Sequence, residues 1–341
     1  MKKKIFVGLS GGVDSAAAAL LLQREGYDVY GVTLRLKADA EADIRDAQCV
    51  AQALGIPHTV LPLEVEFRAL VVDYFTRAYL SGETPNPCVI CNPAIKFGKM
   101  LSFALENGAQ AIATGHYARI EWTEGRFLLK SSPSKKDQSY FLHRLTQHQL
   151  AHAVFPLGDM TDKAEIRALA QAVNLPIAQK TDSQEICFVP QDDYYAFLER
   201  SGASLPPPGD FTDTDGTFLG RHGGIARYTV GQRKGLGAFG RPMYVTKINP
   251  ADNTVVLGGE GAQYRTECTV RDLHWIVPPA QAVLYTTVKV RYRAAPQAVR
   301  VTLLENGCAR LDFTEPVRAA APGQFAVFYD GETVLGGGAI G

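Results

Sequence analysis

Apolar strands alternate with amphipathic helices along the first half of this chain, and that alternation constrains its fold more than any other feature. KKIFVGL (3–9) reads as a buried strand, and a helical pattern over Ser15–Glu25 ends at Gly26. YDVYGVTLRL (27–36) is a second strand, Asp43–Leu54 a second helix closed by Gly55, and HTVLPL (58–63) a third strand. Residues Val65–Leu80 are helical, with Gly82 and Pro85 as stop signals. Lys96–Asn107 is a helix leading into the strand AIATGHYARI (111–120), and Asp162 with Glu165 resembles a capping box opening a helix that ends near Asn174. Strands joined by crossover helices predict an α/β domain: a doubly wound parallel sheet with helices on both faces.

From about residue 199 the pattern changes. SLPPPGDF (204–211) is linker-like, and a Gly- and Arg-rich segment follows. After about 269 come short alternating strands with turn residues between them (LYTTVKVRYR, AVRVTLL, CARLDF, FAVFYDG, TVLGGGAI) and no helical period. The expected division is 1–198, an α/β domain; 199–268, a small, mostly β domain; and 269–341, a β-barrel.

The formal net charge is zero, so nucleic-acid binding must come from a local basic patch. Residues 219–241 hold Arg221, Arg227, Arg233, Lys234 and Arg241 without an acid, and 289–300 hold Lys289, Arg291, Arg293 and Arg300 without one. Solvated surface charge and phosphate contact both explain such runs; the missing acids favour phosphate. The opening MKKKIFVGLS is too short for a signal h-region, and no later run approaches a membrane span. Six cysteines without framework spacing suit a reducing compartment, which points to a cytoplasmic protein with no membrane partner.

The densest chemical signal is GLSGGVDS, Gly8, Leu9, Ser10, Gly11, Gly12, Val13, Asp14 and Ser15, between the first strand and the first helix. Glycines there let a backbone approach an anion closely, and the hydroxyls and helix-start N–H groups hold phosphate oxygens. It is neither a Walker A loop nor GxGxxG. The bland alternative is a tight turn with a helix cap at Asp14 or Ser15.

In TPNPCVICNP (84–93), Cys88 and Cys91 stand three apart. A redox pair, half a metal site, and a nucleophile with a neighbour all fit that spacing.

SGGVDS resembles the loop of the PP-loop ATP pyrophosphatases. TPNPCVICNPAIKF, ATGHYAR, KKDQSYFL, DSQEICF, TVGQRKGLG, VRYR and PGQFAVFYDG follow in order. Together they resemble the tRNA-specific 2-thiouridylases, which place sulfur on C2 of the wobble uridine. Members have also carried the label tRNA methyltransferase, but no glycine-rich loop here suits S-adenosylmethionine. The resemblance implies ATP at Gly8–Ser15, with Leu34 meeting the adenine, Gly115 lining the pocket and Asp14 as a Mg²⁺ ligand. It implies Asn86, Pro87 and Cys88 at the target base, and His116, Lys136, Asp137, Gln138, Arg291, Tyr292 and Gln324 facing tRNA around its anticodon stem. Cys91 would be the first catalytic cysteine and Cys187 the persulfide carrier, loaded by an upstream sulfur-donor protein. The alternatives are a buried small hydrophobe at Cys187 and an internally satisfied histidine at His116. Cys49, Cys268 and Cys308 lie in helix or strand patterns and read as core.

Cys88 stands where the family pattern NPDxxCN has aspartate, and LKADAEADIRD is shorter than the corresponding loop of many relatives. Cys88, Cys91 and Cys187 would suit a zinc site or a [4Fe–4S] cluster with one open position, or persulfide chemistry with Cys88 as a resolving or accessory thiol. The competing functions are a tRNA-binding sulfur or metal carrier with a degenerate ATP loop, and another PP-loop adenylating enzyme. The intact SGGVDS stands against the first, and the C-terminal matches stand against the second.

Overall fold

Ile5, Phe6 and Val7 are all buried, as both faces of a central parallel strand must be. In the computed structural model, which describes residues 2–172 and 186–341, they form β1 (Lys4–Gly8). β1 pairs in parallel with β2 (Asp28–Arg35), which pairs with β3 (His58–Pro62). On its other side lie β4 (Ala111–Ala113) and then a two-residue strand, Ala153–Val154. The order β3-β2-β1-β4 and then 153–154 reverses direction between β1 and β4, and in open α/β sheets ligands bind at the strand C-termini at such a reversal.

Helix α1 (Val13–Arg24) begins two residues before the expected start, and Ala16–Ala19 are fully buried, small enough for the helix to lie close to the sheet. α2 (Glu41–Leu54) closes on Gly55 in the left-handed region, as its glycine predicts. The helix expected to end near Asn174 is present over Lys163–Ala172, with Asp162 accepting from the Ala164 N–H; its expected end lies outside the described residues.

The largest departure from the sequence reading concerns the cysteines. The helix expected from Lys96 begins at Pro87, so Cys88 and Cys91 ride on a helix, not in a loop. Pro87 stands at its first position, where the missing N–H costs nothing. Pro93, inside the helix, would clash in an ordinary α turn; Asn92–Met100 instead widens into a π-helical stretch. Gly98 permits this, since a Cβ there would stand 2.8 Å from the Pro93 carbonyl oxygen. The Gln149 side-chain amide donates to the Pro93 and Phe97 carbonyls. Pro87–Glu106 is also long and apolar enough to pass for a membrane span by length and composition, which amends the expectation that no run approaches one. Its Val89, Ile95, Phe97, Met100 and Leu101 are buried within the protein.

AIATGHYARI is not one strand: it breaks at 114–117 and resumes as β5 (Ala118–Thr123), which forms a hairpin with β6 (Arg126–Ser131). Further along, β7 (Gly209–Thr212), β8 (Phe218–His222), β9 (Tyr244–Asn249) and β10 (Thr254–Gly258) form a four-stranded sheet. β11 (Tyr264–Trp275), β12 (Val283–Lys289), β13 (Gln297–Leu303), β14 (Ala309–Arg318), β15 (Phe325–Asp330) and β16 (Thr333–Ile340) close into a six-stranded barrel through pairing of β11 with β16. By packing, the chain divides into two units: Met1–Val71 with Cys88–Gln184 and Gly331–Leu335, and Val72–Pro87 with Glu185–Asp330 and Gly336–Gly341.

Candidate active site

Within the first unit, the Gly8–Ser15 loop leaves the C-terminal end of β1. Gly11 has φ +71°, and a Cβ there would stand 2.9 Å from the Asp43 carbonyl oxygen, so only glycine fits without strain. Gly12 caps α1 and brings no side-chain acceptor to the first-turn N–H groups. Ser15 closes the loop: its hydroxyl donates to the Gly12 carbonyl (2.9 Å) and accepts the Ser10 N–H (3.2 Å). Ser15 is buried and Ser10 exposed, and the Ser10 hydroxyl donates to that of Ser15 (3.3 Å). The cap-and-turn alternative is therefore part of the geometry, but the cap is backbone, which leaves the helix end suited to an anion.

Asp14 lies in the first turn, and the buried Tyr117 hydroxyl donates to its Oδ1 (3.0 Å). Gly115 passes directly under that turn: a Cβ would be 2.8 Å from the Asp14 carbonyl carbon and 2.9 Å from the Ser15 nitrogen. The break in the strand follows from this approach. Leu34 lies past the last β1–β2 pair, Gly8↔Val32. The Leu9 N–H donates to the Val32 carbonyl and the Gly31 N–H to Pro57. By alternation, the main chain of Leu34 turns toward the side β1 has left. The Thr33 hydroxyl donates to the Leu9 carbonyl, so His58 Nε2–H donates to Thr33 (2.8 Å).

His116 is buried, with Nδ1 2.7 Å from the Thr114 hydroxyl and Nε2 3.5 Å from Lys96 Nζ. Burial holds its pKa well below the usual histidine value, and the Lys96 charge adds to this, so the ring is neutral. Asp137 accepts from the Ser132 and Ser139 N–H groups and the Ser139 hydroxyl. Gln138 accepts the Tyr117 N–H. Lys136, half-buried, donates its N–H to the Ser134 hydroxyl. Asp137 and Gln138 thus hold the 132–139 loop against the strand end.

Cys88 is exposed and Cys91 buried on their shared helix, followed by Asn92, whose amide donates to the Phe141 carbonyl. Cys187 belongs to the other unit, exposed in a turn closed by the Val189 N–H and the Ile186 carbonyl. The buried neighbour is Phe188, packed on Phe75 and Phe197, so the apolar role considered for Cys187 falls to the next residue. Among the described residues of the first unit, no third His, Cys, Asp or Glu side chain joins Cys88 and Cys91 in a group that could hold a metal ion.

Also in the second unit, Gln324 donates to the Thr84 carbonyl, Thr84 N–H to the Pro322 carbonyl, and Arg271 pairs with Glu83 at 2.6 Å. The barrel's PGQ turn thereby holds the chain just before half-buried Asn86 and buried Pro87. Arg291 donates to the Val230 carbonyl, and Tyr292 is half-buried beside it. The acid-free runs gain acids from elsewhere: Arg221 pairs with Asp210 and Arg227 with Glu199. Arg233 and Lys234 remain exposed. Cys49 is exposed and Cys308 half-buried, against the core expectation; burial and Glu267 push the Cys268 thiol to about 12, out of reach of chemistry.

Family models match along the whole chain: a tRNA methyl transferase HUP domain over residues 3–191, its PRC-barrel domain over 195–259, and an aminomethyltransferase β-barrel domain over 265–340. The tRNA-specific 2-thiouridylase MnmA of Pelobacter propionicus is 47% identical across 99% of this chain and 97% of its own length. The chain belongs to the tRNA-specific 2-thiouridylases. Its counterpart from Trichlorobacter lovleyi is 45% identical over the same shares. Like these 2-thiouridylases, this one spans all three matched domains, and the methyl transferase wording belongs only to the domain descriptions. A U34-tRNA thiolase from Methanococcus maripaludis, solved with its [4Fe–4S] cluster, is similar at 18% identity and TM-score 0.37, covering 59% of this chain and 67% of its own, too remote to bear on this 2-thiouridylase's cofactors. Tyr117 and Lys96 escaped the motif reading: Tyr117 lies inside ATGHYAR and Lys96 inside CNPAIKF, but only their contacts mark them.

Proposed function

We propose that this enzyme thiolates C2 of the wobble uridine of tRNA, using ATP. One observation carries the reading. An anion-suited loop with a fixed carboxylate, Asp14, shares its unit with a helix bearing Cys88 and Cys91. Uridine O2 attacks the α-phosphorus of ATP; the O2–P bond forms, the bond to the bridging oxygen breaks, pyrophosphate leaves, and the N3–H proton passes to water. The terminal sulfur of a Cys187 persulfide, loaded by a donor protein, attacks C2, and the C2–O2 bond breaks with AMP as leaving group. Cys91 thiolate then attacks the Cys187 sulfur, breaking its bond to the transferred sulfur. The base keeps the 2-thio group, and the resulting S–S bond is reduced by thiols of a reducing compartment, the cytoplasm.

Mg²⁺ suits the donor set, since Asp14 offers a hard carboxylate beside the loop, and when bound it would neutralise polyphosphate charge. A [4Fe–4S] cluster would need Cys187 of the second unit beside Cys88 and Cys91 of the first, and no step here uses one. Asn86 and Pro87 would meet the base, and Gln324 would position them. His116, Lys136, Asp137, Gln138, Arg291 and Tyr292 would line the tRNA path near the anticodon stem, several as anchors of the surface rather than as phosphate ligands.

The test is incubation of the protein with unmodified tRNA, ATP, Mg²⁺ and a persulfide source, followed by nucleoside mass spectrometry. Exchange of oxygen for sulfur at U34 is expected, and its absence with loaded Cys187 would defeat the reading. Arg233→Ala with Lys234→Ala should weaken tRNA binding and lower the slope of log K against log salt by roughly 0.9 for each duplex phosphate that is no longer neutralised. An unchanged slope would remove this segment from the tRNA path.

A further inference from the structure

Lys96 has no role in the reading above. It is half-buried, and among the described residues its one hydrogen-bond neighbour is His116 Nε2, at 3.5 Å, with no carboxylate partner. A cation drawn partly out of water without an acid is poorly compensated, and such a group suits an anionic ligand. The neutral ring fixes its direction. His116 lends Nδ1–H to Thr114 (2.7 Å), which leaves the Nε2 lone pair for the ammonium. The other ammonium hydrogens remain to be donated elsewhere.

Its position singles out the ligand. Thr114 Cγ2 lies 3.8 Å from the point a Cβ on Gly8 would occupy, and Met100 Sδ, one turn beyond Lys96 on the same helix, lies 3.4 Å from it. A short chain of contacts therefore links Lys96 to the first residue of the nucleotide loop. Cys91 lies five residues earlier on the same helix. It precedes the widened stretch Asn92–Met100 that carries Lys96.

Resting on the proposed adenylation, we infer that Lys96 binds the α-phosphoryl group of the nucleotide, the one phosphate that must stand between the ATP loop and the base. There it would face the charge that builds on the phosphoryl oxygens as O2 attacks, and again on AMP as it departs. The β- and γ-phosphates would fall to the loop, the α1 N-terminus and the ion at Asp14.

Calorimetric titration of the whole protein with AMP and with adenosine tests this, since the two ligands differ only in that phosphoryl group. The native protein should prefer AMP. Lys96→Met should cut AMP affinity by about ten- to a hundredfold, the worth of one charge-assisted hydrogen bond, and leave adenosine affinity unchanged. Lys96→Arg should retain part of the preference. An AMP-to-adenosine ratio unchanged in Lys96→Met would overturn the inference while leaving the nucleotide site intact. Equal loss for both ligands would also overturn it, making Lys96 a shaper of the pocket. Native protein that binds neither AMP, adenosine nor ATP would defeat the nucleotide-loop reading itself, and this inference with it.

Discussion

Serine at Cys91 or at Cys187 eliminates 2-thiouridine formation, by on the order of a thousandfold or more, while tRNA-dependent pyrophosphate release continues. The two halves of the reaction use different groups. Adenylation needs the loop and Asp14, whereas sulfur transfer needs one thiol to carry sulfane sulfur and one to displace it, and a hydroxyl does neither. Nucleoside mass spectrometry together with a pyrophosphate assay reads both halves. Full thiolation by either variant would remove that cysteine from the sulfur path. Cys88 adds a sharper comparison, because it is exposed on the same helix as buried Cys91. On the persulfide route Cys88→Asp stays active, and protein purified without oxygen carries no iron above background. Joint loss of iron, visible absorbance and activity in that variant would restore the cluster, for which a carboxylate is a poor substitute ligand.

The second large effect falls on the nucleotide loop. Asp14→Ala and Gly115→Ala should each lower pyrophosphate release by about a hundredfold or more, as removing a preorganised electrostatic group does, with tRNA affinity retained. The reasons differ. Asp14→Ala removes the carboxylate that would hold the ion and the acceptor of the Tyr117 hydroxyl's bond at 3.0 Å. Gly115→Ala adds a Cβ 2.8 Å from the Asp14 carbonyl carbon and 2.9 Å from its oxygen, atoms of backbone that cannot rotate away, so the helix start must shift. Tyr117→Phe is the milder control. It forfeits one hydrogen bond, about 0.5–1.5 kcal/mol of stability, and should keep most activity. Unchanged pyrophosphate release in folded Asp14→Ala would sink the assignment of the loop.

Much of this molecule was legible before any contact was known. Periodicity places β1, β2 and β3, because a strand covered on both faces reads as the apolar run IFV and each crossover helix ends on a glycine, Gly26 or Gly55. The loop Gly8–Ser15 was legible too, since its glycines answer to local backbone needs: Gly11 has a positive φ that few other residues tolerate. Strand alternation announced the barrel. What local pattern misjudged was where the helix expected from Lys96 begins, since it starts at Pro87, inside TPNPCVICNP. Pro93 is tolerated in the helix because the turn widens, and the widened turn leans on Gln149, 56 residues from Pro93 and 52 from Phe97. The same distance hides the rest. Nothing near Gly115 in the chain announces that it must clear the Asp14–Ser15 peptide, and nothing near Lys96 announces His116. The acid-free basic runs hide their partners for a related reason, since Asp210 and Glu199 reach Arg221 and Arg227 only after folding. Backbone conformation and burial period are written over a few neighbouring residues. Which side chain completes a site, or supplies a charge's partner, is decided by segments that meet only when the apolar faces between them are buried.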